Sequence, residues 1–307
     1  MNDLLQRVLT RVVGRTREIE LVVAALAADR HVLLEGPPGT GKSTLLRAVA
    51  HELGLGFEFV EGNAELTPAR LVGHFDPARV LSDGYDPDVF VDGPLISAMR
   101  EGALLYVEEI NRIPEETLNV LVTVMSEREL HVPRLGRVAA SHGFRLVAAM
   151  NPFDAIGTAR ISSAIYDRVC RLAVDYQDAP DEATIVHRAL PNAAADEAWL
   201  ARVVEVVRRT RTHPDVRIGS SVRGAIDTVA VANSLAGLRG GSPQDPALGL
   251  DAALVALSGR MRLREGTNRS PESIVTELWN EVFDPADEAS VDGAGKAHAP
   301  TGASNGR

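Results

Sequence analysis

Short apolar runs alternate with longer amphipathic stretches over the first 178 residues or so of the chain. The apolar runs lack strict polar alternation, which is typical of strands in a parallel sheet buried on both faces. We predict strands at 31–35, 57–61, 103–107, 144–149 and 169–174. Because helical stretches lie between them, the pattern predicts an α/β fold with a five-stranded parallel sheet between helices.

The clearest helix follows Pro114. Proline and two glutamates open it, as the N-terminus of a helix favours. Leu118, Leu121, Val122 and Met125 then recur at helical spacing and form one apolar stripe. We expect this stripe to pack on the sheet and not to bind a ligand.

The strand pattern ends near residue 179, and helices are predicted at 180–190, 196–212, 219–236, 247–263 and 270–282. Breaks rich in glycine and proline, such as 237–246, separate them. The pattern therefore predicts an α/β domain at 1–178 and an all-α lid domain at 179–283. Residues 284–307 are poor in apolar side chains, which predicts a disordered tail.

Composition narrows the class of protein. The longest purely apolar run, at 21–28, is too short to span a membrane, and the N-terminus lacks a secretory pattern. The single cysteine, Cys170, excludes an internal disulfide and fits a cytoplasmic protein. A net charge of -10 argues against sequence-independent binding of nucleic acid, although a local basic groove would escape this argument. The histidines are scattered, which predicts no structural zinc.

The strongest motif is GPPGTGKS, which follows the first predicted strand and precedes a helix. Gly36, Gly41, Lys42 and Ser43 match the phosphate-loop pattern G-x-x-x-x-G-K-[ST]. The motif predicts ATP and Mg²⁺ as ligands. The predicted nucleotide contacts in and after the loop are Gly36, Pro37, Pro38, Gly39, Thr40, Gly41, Lys42, Ser43 and Thr44.

The chemistry of phosphate binding explains each residue type in this loop. Glycines let the backbone N–H groups turn towards phosphate oxygens, and the positive end of the next helix adds to the attraction. Lys42 supplies a point charge to the β- and γ-phosphates, and Ser43 supplies a hydroxyl to Mg²⁺. Thr44 is expected on the side of the α-phosphate.

Acidic and amide side chains follow two other predicted strands. ALLYV ends at Glu108 and Glu109, and FRLVAAM ends at Asn151. Alone, the two glutamates would suit a solvated strand end. Because parallel strands bind ligands beyond their carboxyl ends, we assign Glu108 to Mg²⁺ and Glu109 to the attacking water as general base. Asn151 is expected to hold that water or the γ-phosphate.

INRIP follows the acidic strand end, MNP follows the next strand, and SSAIYDRV lies further along the chain. Together with the phosphate loop, these motifs resemble those of AAA+ ATPases. The segment EEINRIPEETLNVLVTVMSERE is similar to the MoxR branch, which is related to the ATPase subunit of magnesium chelatase. The similarity covers roughly residues 10–230. It implies the αβα core of AAA+ proteins, a helical lid and a ring, normally a hexamer.

The resemblance also implies roles for single residues. The segment 12–15, with Val13 and Gly14, would pack on adenine, and Asn151 would be sensor 1. Arg168 would be an arginine finger that reaches the ATP of the next subunit, and Arg223 would be the sensor 2 arginine. By composition alone, both arginines would suit ordinary surface positions.

Two segments resemble insertions of this family. Residues 62–102 resemble the helix-2 insertion, with Gly93 and Pro94 before a helix at 95–101. Residues 128–146 resemble a β-hairpin that precedes the sensor 1 strand. Such insertions face a pore or a client protein in the family, and plain surface loops are the alternative.

The leading hypothesis is therefore an ATP-hydrolysing ring motor that remodels or matures a protein complex, in some cases aiding metal insertion. The resemblance implies a protein client and a partner with a von Willebrand factor A domain. One alternative is the ATPase subunit of a metal chelatase. Another is a slowly hydrolysing ATP-dependent scaffold, because Glu108 is one methylene longer than the Asp of most relatives. The acidic balance argues against a DNA translocase.

Overall fold

The computed structural model describes residues 2–152, 161–193 and 195–284. The chain divides into two compact units, the first ending at Thr184 and the second beginning at Ile185. The sequence places this boundary slightly earlier, at 178/179. Apart from Asp284, the predicted tail lies outside the described residues.

The first unit contains nine strands in its described part. In chain order they are β1 (His31–Glu35), β2 (Phe57–Glu61), β3 (Gly73–Phe75), β4 (Phe90–Asp92), β5 (Leu104–Glu108), β6 (Glu129–Val132), β7 (Gly136–Ala139), β8 (Arg145–Met150) and β9 (Val169–Ala173). The helices are α1 (Asn2–Arg11), α2 (Thr16–Ala27), α3 (Lys42–Leu53), α4 (Pro68–Val72), α5 (Pro77–Asp83), α6 (Pro94–Glu101), α7 (Glu115–Glu127) and α8 (Ser163–Tyr166). α9 (Ala179–Ala189) crosses the division between the units.

Five of the strands form one parallel sheet in the order β2-β5-β8-β1-β9. These are the five predicted strands, with ends displaced by at most one residue. From β1 the chain crosses through α3 to the edge strand β2, so the strand order reverses beside β1. Ligands bind at such a reversal, beyond the carboxyl ends of the strands.

Helices cover both faces of the sheet. On one face, alternate strand residues such as Leu105 and Leu146 pack with α6 and α7. The predicted stripe of α7 joins this core, with Leu118, Leu121 and Met125 buried. On the other face, residues such as Leu34 pack with α1, α2 and α3. The layered αβα architecture is therefore confirmed.

Both predicted insertions contain their own hairpins. β3 pairs antiparallel with β4 inside 62–102, and β6 pairs antiparallel with β7 inside 128–146. The hairpin expected before β8 and the helix expected after Gly93 are thus confirmed, the latter as α6. None of the described helices is long and apolar enough to cross a membrane.

The second unit, as far as it is described, is mainly helical. After α9 it contains α10 (Glu197–Thr212), α11 (Val222–Arg239), α12 (Pro246–Leu257) and α13 (Pro271–Phe283), with short strands β10 (Val216–Ile218) and β11 (Arg262–Leu263). The predicted helix at 247–263 is wrong after Leu257, where α12 ends and a short 3-10 helix, Ser258–Arg260, follows. The apolar pattern continues through Met261 and Leu263, but β11 pairs antiparallel with β10. The region is therefore not entirely helical.

His31, the first residue of β1, packs inside the first unit. The residue is 6% exposed, and its ring meets Phe144 edge-on and accepts a hydrogen bond from the backbone N–H of Leu146 through Nδ1 at 2.8 Å. Burial lowers the pKa of His31 to about 4. The protonated form is therefore disfavoured in the folded chain.

We expect His31 to make the folded state sensitive to acid. Between pH 6.5 and about 4 the unfolded chain binds a proton at His31 that the folded chain does not, so the free energy of unfolding falls as pH falls. The loss should approach about 3 kcal/mol near pH 4. Urea unfolding across this pH range should show this loss of unfolding free energy in the unsubstituted chain and in a control that carries His142→Asn at an exposed position. The loss should be absent in His31→Asn. Parallel pH profiles of all three chains would contradict it.

Candidate nucleotide site

The phosphate loop spans the step from β1 to α3, and α3 begins at Lys42. Gly39 and Gly41 have φ values of 74° and 81°, a left-handed conformation that favours glycine. Lys42 is buried, and its Nζ donates hydrogen bonds to the carbonyl oxygens of Gly36 at 2.9 Å and Pro37 at 2.8 Å. The Lys42 ammonium thus lies inside the turn that the motif predicts.

Other loop residues hold the turn or face outwards. Thr40 is buried and donates through Oγ1 to the carbonyl of Pro37 at 3.0 Å. Pro38 and Thr44 are exposed. At Gly36 a Cβ atom would lie 1.8 Å from the carbonyl oxygen of Val174, so the close approach of the residue after β9 requires glycine there.

The structure brings Ser43 and Glu108 together. Ser43 Oγ lies 3.1 Å from both carboxylate oxygens of Glu108, the last residue of β5. The Tyr106 hydroxyl lies 3.3 Å from Ser43 Oγ. Burial raises the pKa of Tyr106 above its usual range, so the phenol is neutral. One serine hydroxyl and one carboxylate therefore form a compact set of oxygens at the start of α3.

This oxygen set fits Mg²⁺. Hydroxyl and carboxylate oxygens are ligands that Mg²⁺ accepts, and at nucleotide sites the phosphates and waters complete its shell. Such a site needs no dense cluster of acids, and the described residues contain no group of three or more His, Cys, Asp or Glu placed to hold a metal. Ser43, predicted from the motif, and Glu108, predicted from the end of its strand, would hold the ion.

Glu109 follows directly with an unusual backbone. Its φ of 52° and ψ of 43° place a non-glycine residue in the left-handed region, which costs free energy and is found often at functional sites. After this turn the side chain of Glu109 no longer follows the alternation of β5, and its carboxylate forms an ion pair with Arg112 at 3.0 Å. Glu108 and Glu109 therefore have different neighbours.

Asn151 lies beside the phosphate loop. It follows Met150, whose carbonyl accepts a hydrogen bond from the N–H of Gly36 at 3.1 Å. The buried Asn111 donates to the carbonyl oxygen of Asn151 at 3.4 Å. Asn111 therefore connects the turn after Glu109 to the end of β8.

The predicted adenine segment reaches the loop through Arg15. This side chain is 3% exposed and donates through Nη2 to the carbonyls of Thr40 at 2.7 Å and Asp175 at 2.6 Å. Burial lowers the pKa of Arg15, although four nearby acids oppose the shift. At Gly14, where φ is 65°, a Cβ atom would lie 2.0 Å from Asp181. Val13 is partly buried next to it.

Arg168 lies on the turn after α8 and is exposed. Its guanidinium donates to Ser126 at the end of α7 and to the carbonyl of Ala164 at 2.7 Å. Two residues earlier, the Tyr166 hydroxyl donates to the buried Glu35 at 2.7 Å, and burial beside Glu35 raises the pKa of Tyr166 to about 12. Glu35, which also pairs with Arg171, precedes the phosphate loop.

Arg223 is the second residue of α11 and is exposed in the second unit. Its role as sensor 2 stays a prediction, as do the other roles assigned from sequence.

Sequence reasoning missed Arg15 as a support of the loop, Tyr106, Asn111 and Glu35. A polar residue inside an apolar strand is a signal that could have found Tyr106 and Glu35. The contact of Arg15 with Asp175 joins residues 160 positions apart, and no local pattern encodes it.

The segment that contains the phosphate loop matches a known family model. Residues 31–169 match the family model described as AAA domain (dynein-related subfamily). Uncharacterized protein SERP0979 of Staphylococcus epidermidis is 32% identical over 191 residues, which are 62% of this chain and 71% of that protein.

Two solved structures share the fold. A proposed ATPase from Cytophaga hutchinsonii has a TM-score of 0.52 at 20% identity, with 90% of this chain and 92% of that chain covered. RuvB of Thermotoga maritima, described as a Holliday junction branch migration motor, has a TM-score of 0.54 at 18% identity, with 79% and 70% covered. At these identities the likeness concerns the fold alone.

Proposed function

Because this chain belongs to the AAA domain family, dynein-related subfamily, and is an ATPase, we propose that it works as a MoxR-like ring motor. The observation that carries the proposal is the meeting of Ser43, Glu108 and the phosphate loop at the carboxyl ends of β1 and β5. Hydrolysis would drive the remodelling or maturation of a protein complex, including complexes that receive a metal.

Each residue of the nucleotide site has a separate role in the proposed hydrolysis of ATP. Lys42 donates to the β- and γ-phosphates, and Asn151 holds the attacking water or the γ-phosphate. Glu109 takes a proton from the water as its oxygen bonds to the γ-phosphorus and the bond to ADP breaks. Ser43 and Glu108 would hold Mg²⁺, which would supply positive charge to the phosphate oxygens. The products are ADP and phosphate.

The two insertions support a protein client. Arg134, in the β6–β7 hairpin, lies 3.6 Å over the ring of Tyr85 in the other insertion. Tyr85 packs edge-on against Phe75, and Leu81 nearby in sequence is 90% exposed. The insertions therefore form one exposed apolar and cationic surface, the kind of surface that marks a protein interaction site. A partner with a von Willebrand factor A domain is part of the same proposal.

Arg168 is proposed to complete the ATP site of the neighbouring chain. We expect Arg168→Ala to lower hydrolysis about 100-fold, because one donor to the transition-state charge is lost. In rings mixed equally from Arg168→Ala and Glu109→Gln chains, about a quarter of the interfaces should recover activity. At these interfaces one chain supplies Glu109 and its neighbour supplies Arg168. Phosphate release and ring size by light scattering measure both effects.

The control for Arg168 is Arg239→Ala, which removes an exposed arginine of the second unit. It should keep the full rate. Mixed rings of normal size without recovery would contradict a finger that acts between chains, and so would a full rate in Arg168→Ala alone.

Glu108 favours a second candidate, the slow ATP-dependent scaffold. Its side chain is one methylene longer than Asp, and misplacement by about 1 Å can lower a rate on the order of 100-fold. Turnover of Glu108→Asp separates the two functions. A large gain favours the scaffold, and an unchanged rate favours the motor.

A further inference from the structure

Tyr106 is a polar residue in the middle of an apolar strand. Its ring is fully buried and lies between Phe57 and Phe59, with ring centres 5.8 and 5.7 Å away. Tyr106 and Glu108 are two residues apart on β5, so both side chains point to the same face of the sheet. That face is the one covered by α3, which carries Ser43.

The hydroxyl of Tyr106 contacts one of the two proposed metal-holding residues and reaches the other through it. It lies 3.3 Å from Ser43 Oγ. Ser43 Oγ is in turn 3.1 Å from each oxygen of Glu108. Since a carboxylate only accepts, Ser43 donates to Glu108 and accepts from the Tyr106 hydroxyl. The Tyr106 hydroxyl therefore fixes Ser43 Oγ, which in turn fixes the carboxylate.

The hydrogen bonds that connect Tyr106, Ser43 and Glu108 limit how freely the long side chain of Glu108 moves. A glutamate has one more rotatable bond than an aspartate, so its carboxylate is less restricted when it ends the same strand. The Ser43 hydroxyl restricts it, because Tyr106 holds that hydroxyl and the Tyr106 ring is itself fixed by its aromatic neighbours. Phenylalanine would fill the same space, so the packing alone does not require the hydroxyl.

We propose that Tyr106 is a positioning residue for Mg²⁺: its hydroxyl fixes Ser43 Oγ and, through it, the Glu108 carboxylate, and thereby accommodates the longer acidic side chain. The inference rests on the proposed role of Ser43 and Glu108. Tyr106 acts through these two residues and does not itself contact the nucleotide.

The test is the effect of Mg²⁺ on nucleotide affinity. A fluorescent ATP analogue is titrated with Tyr106→Phe in EDTA and then at increasing Mg²⁺. Affinity in EDTA should stay within about twofold, whereas the Mg²⁺ concentration for half-maximal tightening should rise by up to roughly tenfold, as expected for one lost hydrogen bond. Tyr85→Phe, which removes a hydroxyl in the insertion, should leave both values unchanged. An unchanged Mg²⁺ requirement in Tyr106→Phe would overturn the proposal.

A double-mutant cycle tests the part played by the length of Glu108. In the Glu108→Asp background, the effect of Tyr106→Phe should shrink to less than about twofold, because the shorter carboxylate depends less on the hydroxyl. An equal effect in both backgrounds would show that Tyr106 does not accommodate the longer side chain of Glu108. Tyr106→Leu, which also lacks the hydroxyl, serves if the phenylalanine variant fails to fold.

Ser43→Ala and Glu108→Gln separate this inference from the assignment of the metal site. If both variants keep the normal Mg²⁺ requirement, the metal assignment is wrong, and the inference falls with it. If both raise it and Tyr106→Phe does not, only the role of Tyr106 is wrong.

Discussion

Glu109→Gln is expected to bind ATP normally and to hydrolyse it about a thousandfold more slowly than the unsubstituted chain. The amide cannot take a proton from the attacking water, and loss of a general base lowers rates on the order of 100- to 10,000-fold. Binding should survive because Lys42 and the loop remain intact. The ion pair with Arg112 is also lost, but both side chains are more than a third exposed, so stability should change little.

The measurement combines equilibrium binding with single-turnover phosphate release. The matched control is Glu61→Gln, an exposed glutamate at the end of β2 that lies opposite Glu108 in the sheet register. It should hydrolyse ATP at the full rate. A Glu109→Gln rate within tenfold of the control would exclude Glu109 as the base.

Lys42→Ala is expected to abolish detectable nucleotide binding and, with it, hydrolysis. The substitution removes the only lysine in the described part of the chain, and the loop carbonyls of Gly36 and Pro37 lose their donor. A charged donor to the β- and γ-phosphates is also lost, which should weaken binding of ATP at least about 100-fold.

Lys42→Arg tests whether charge alone is sufficient. Arginine keeps the charge but is larger, planar and rigid, and the position is buried. We therefore expect it to bind ATP weakly too. Binding by calorimetry, with a melting curve to show that the variants fold, measures the effect. ATP affinity in Lys42→Ala within threefold of normal would mean that this loop does not hold the phosphates.

The central sheet and the phosphate loop could be predicted because their signals are local. A continuous apolar run such as that of β1 marks a strand buried on both faces, and a phosphate loop is a contiguous motif. The sequence alone therefore identifies Gly36 and Lys42. The roles proposed for Glu108 and Glu109 also follow from one rule, that ligands bind at the carboxyl ends of parallel strands.

Other features could not be predicted because their causes are tertiary. Arg15 holds the loop only because the segment after β9 returns to it. β11 is two residues long, so its pattern is too short to separate from the end of α12. The left-handed turn at Glu109 carries no signal in residue type, since glutamate seldom adopts it.

The central claim is that this chain hydrolyses ATP at the loop between β1 and α3, with Glu109 as base. Its most direct test is steady-state phosphate release from Mg-ATP by the unsubstituted chain, Glu109→Gln and Lys42→Ala, measured side by side. We predict ATP-dependent turnover in the unsubstituted chain and background rates in both variants. Equal rates in all three chains would contradict the claim.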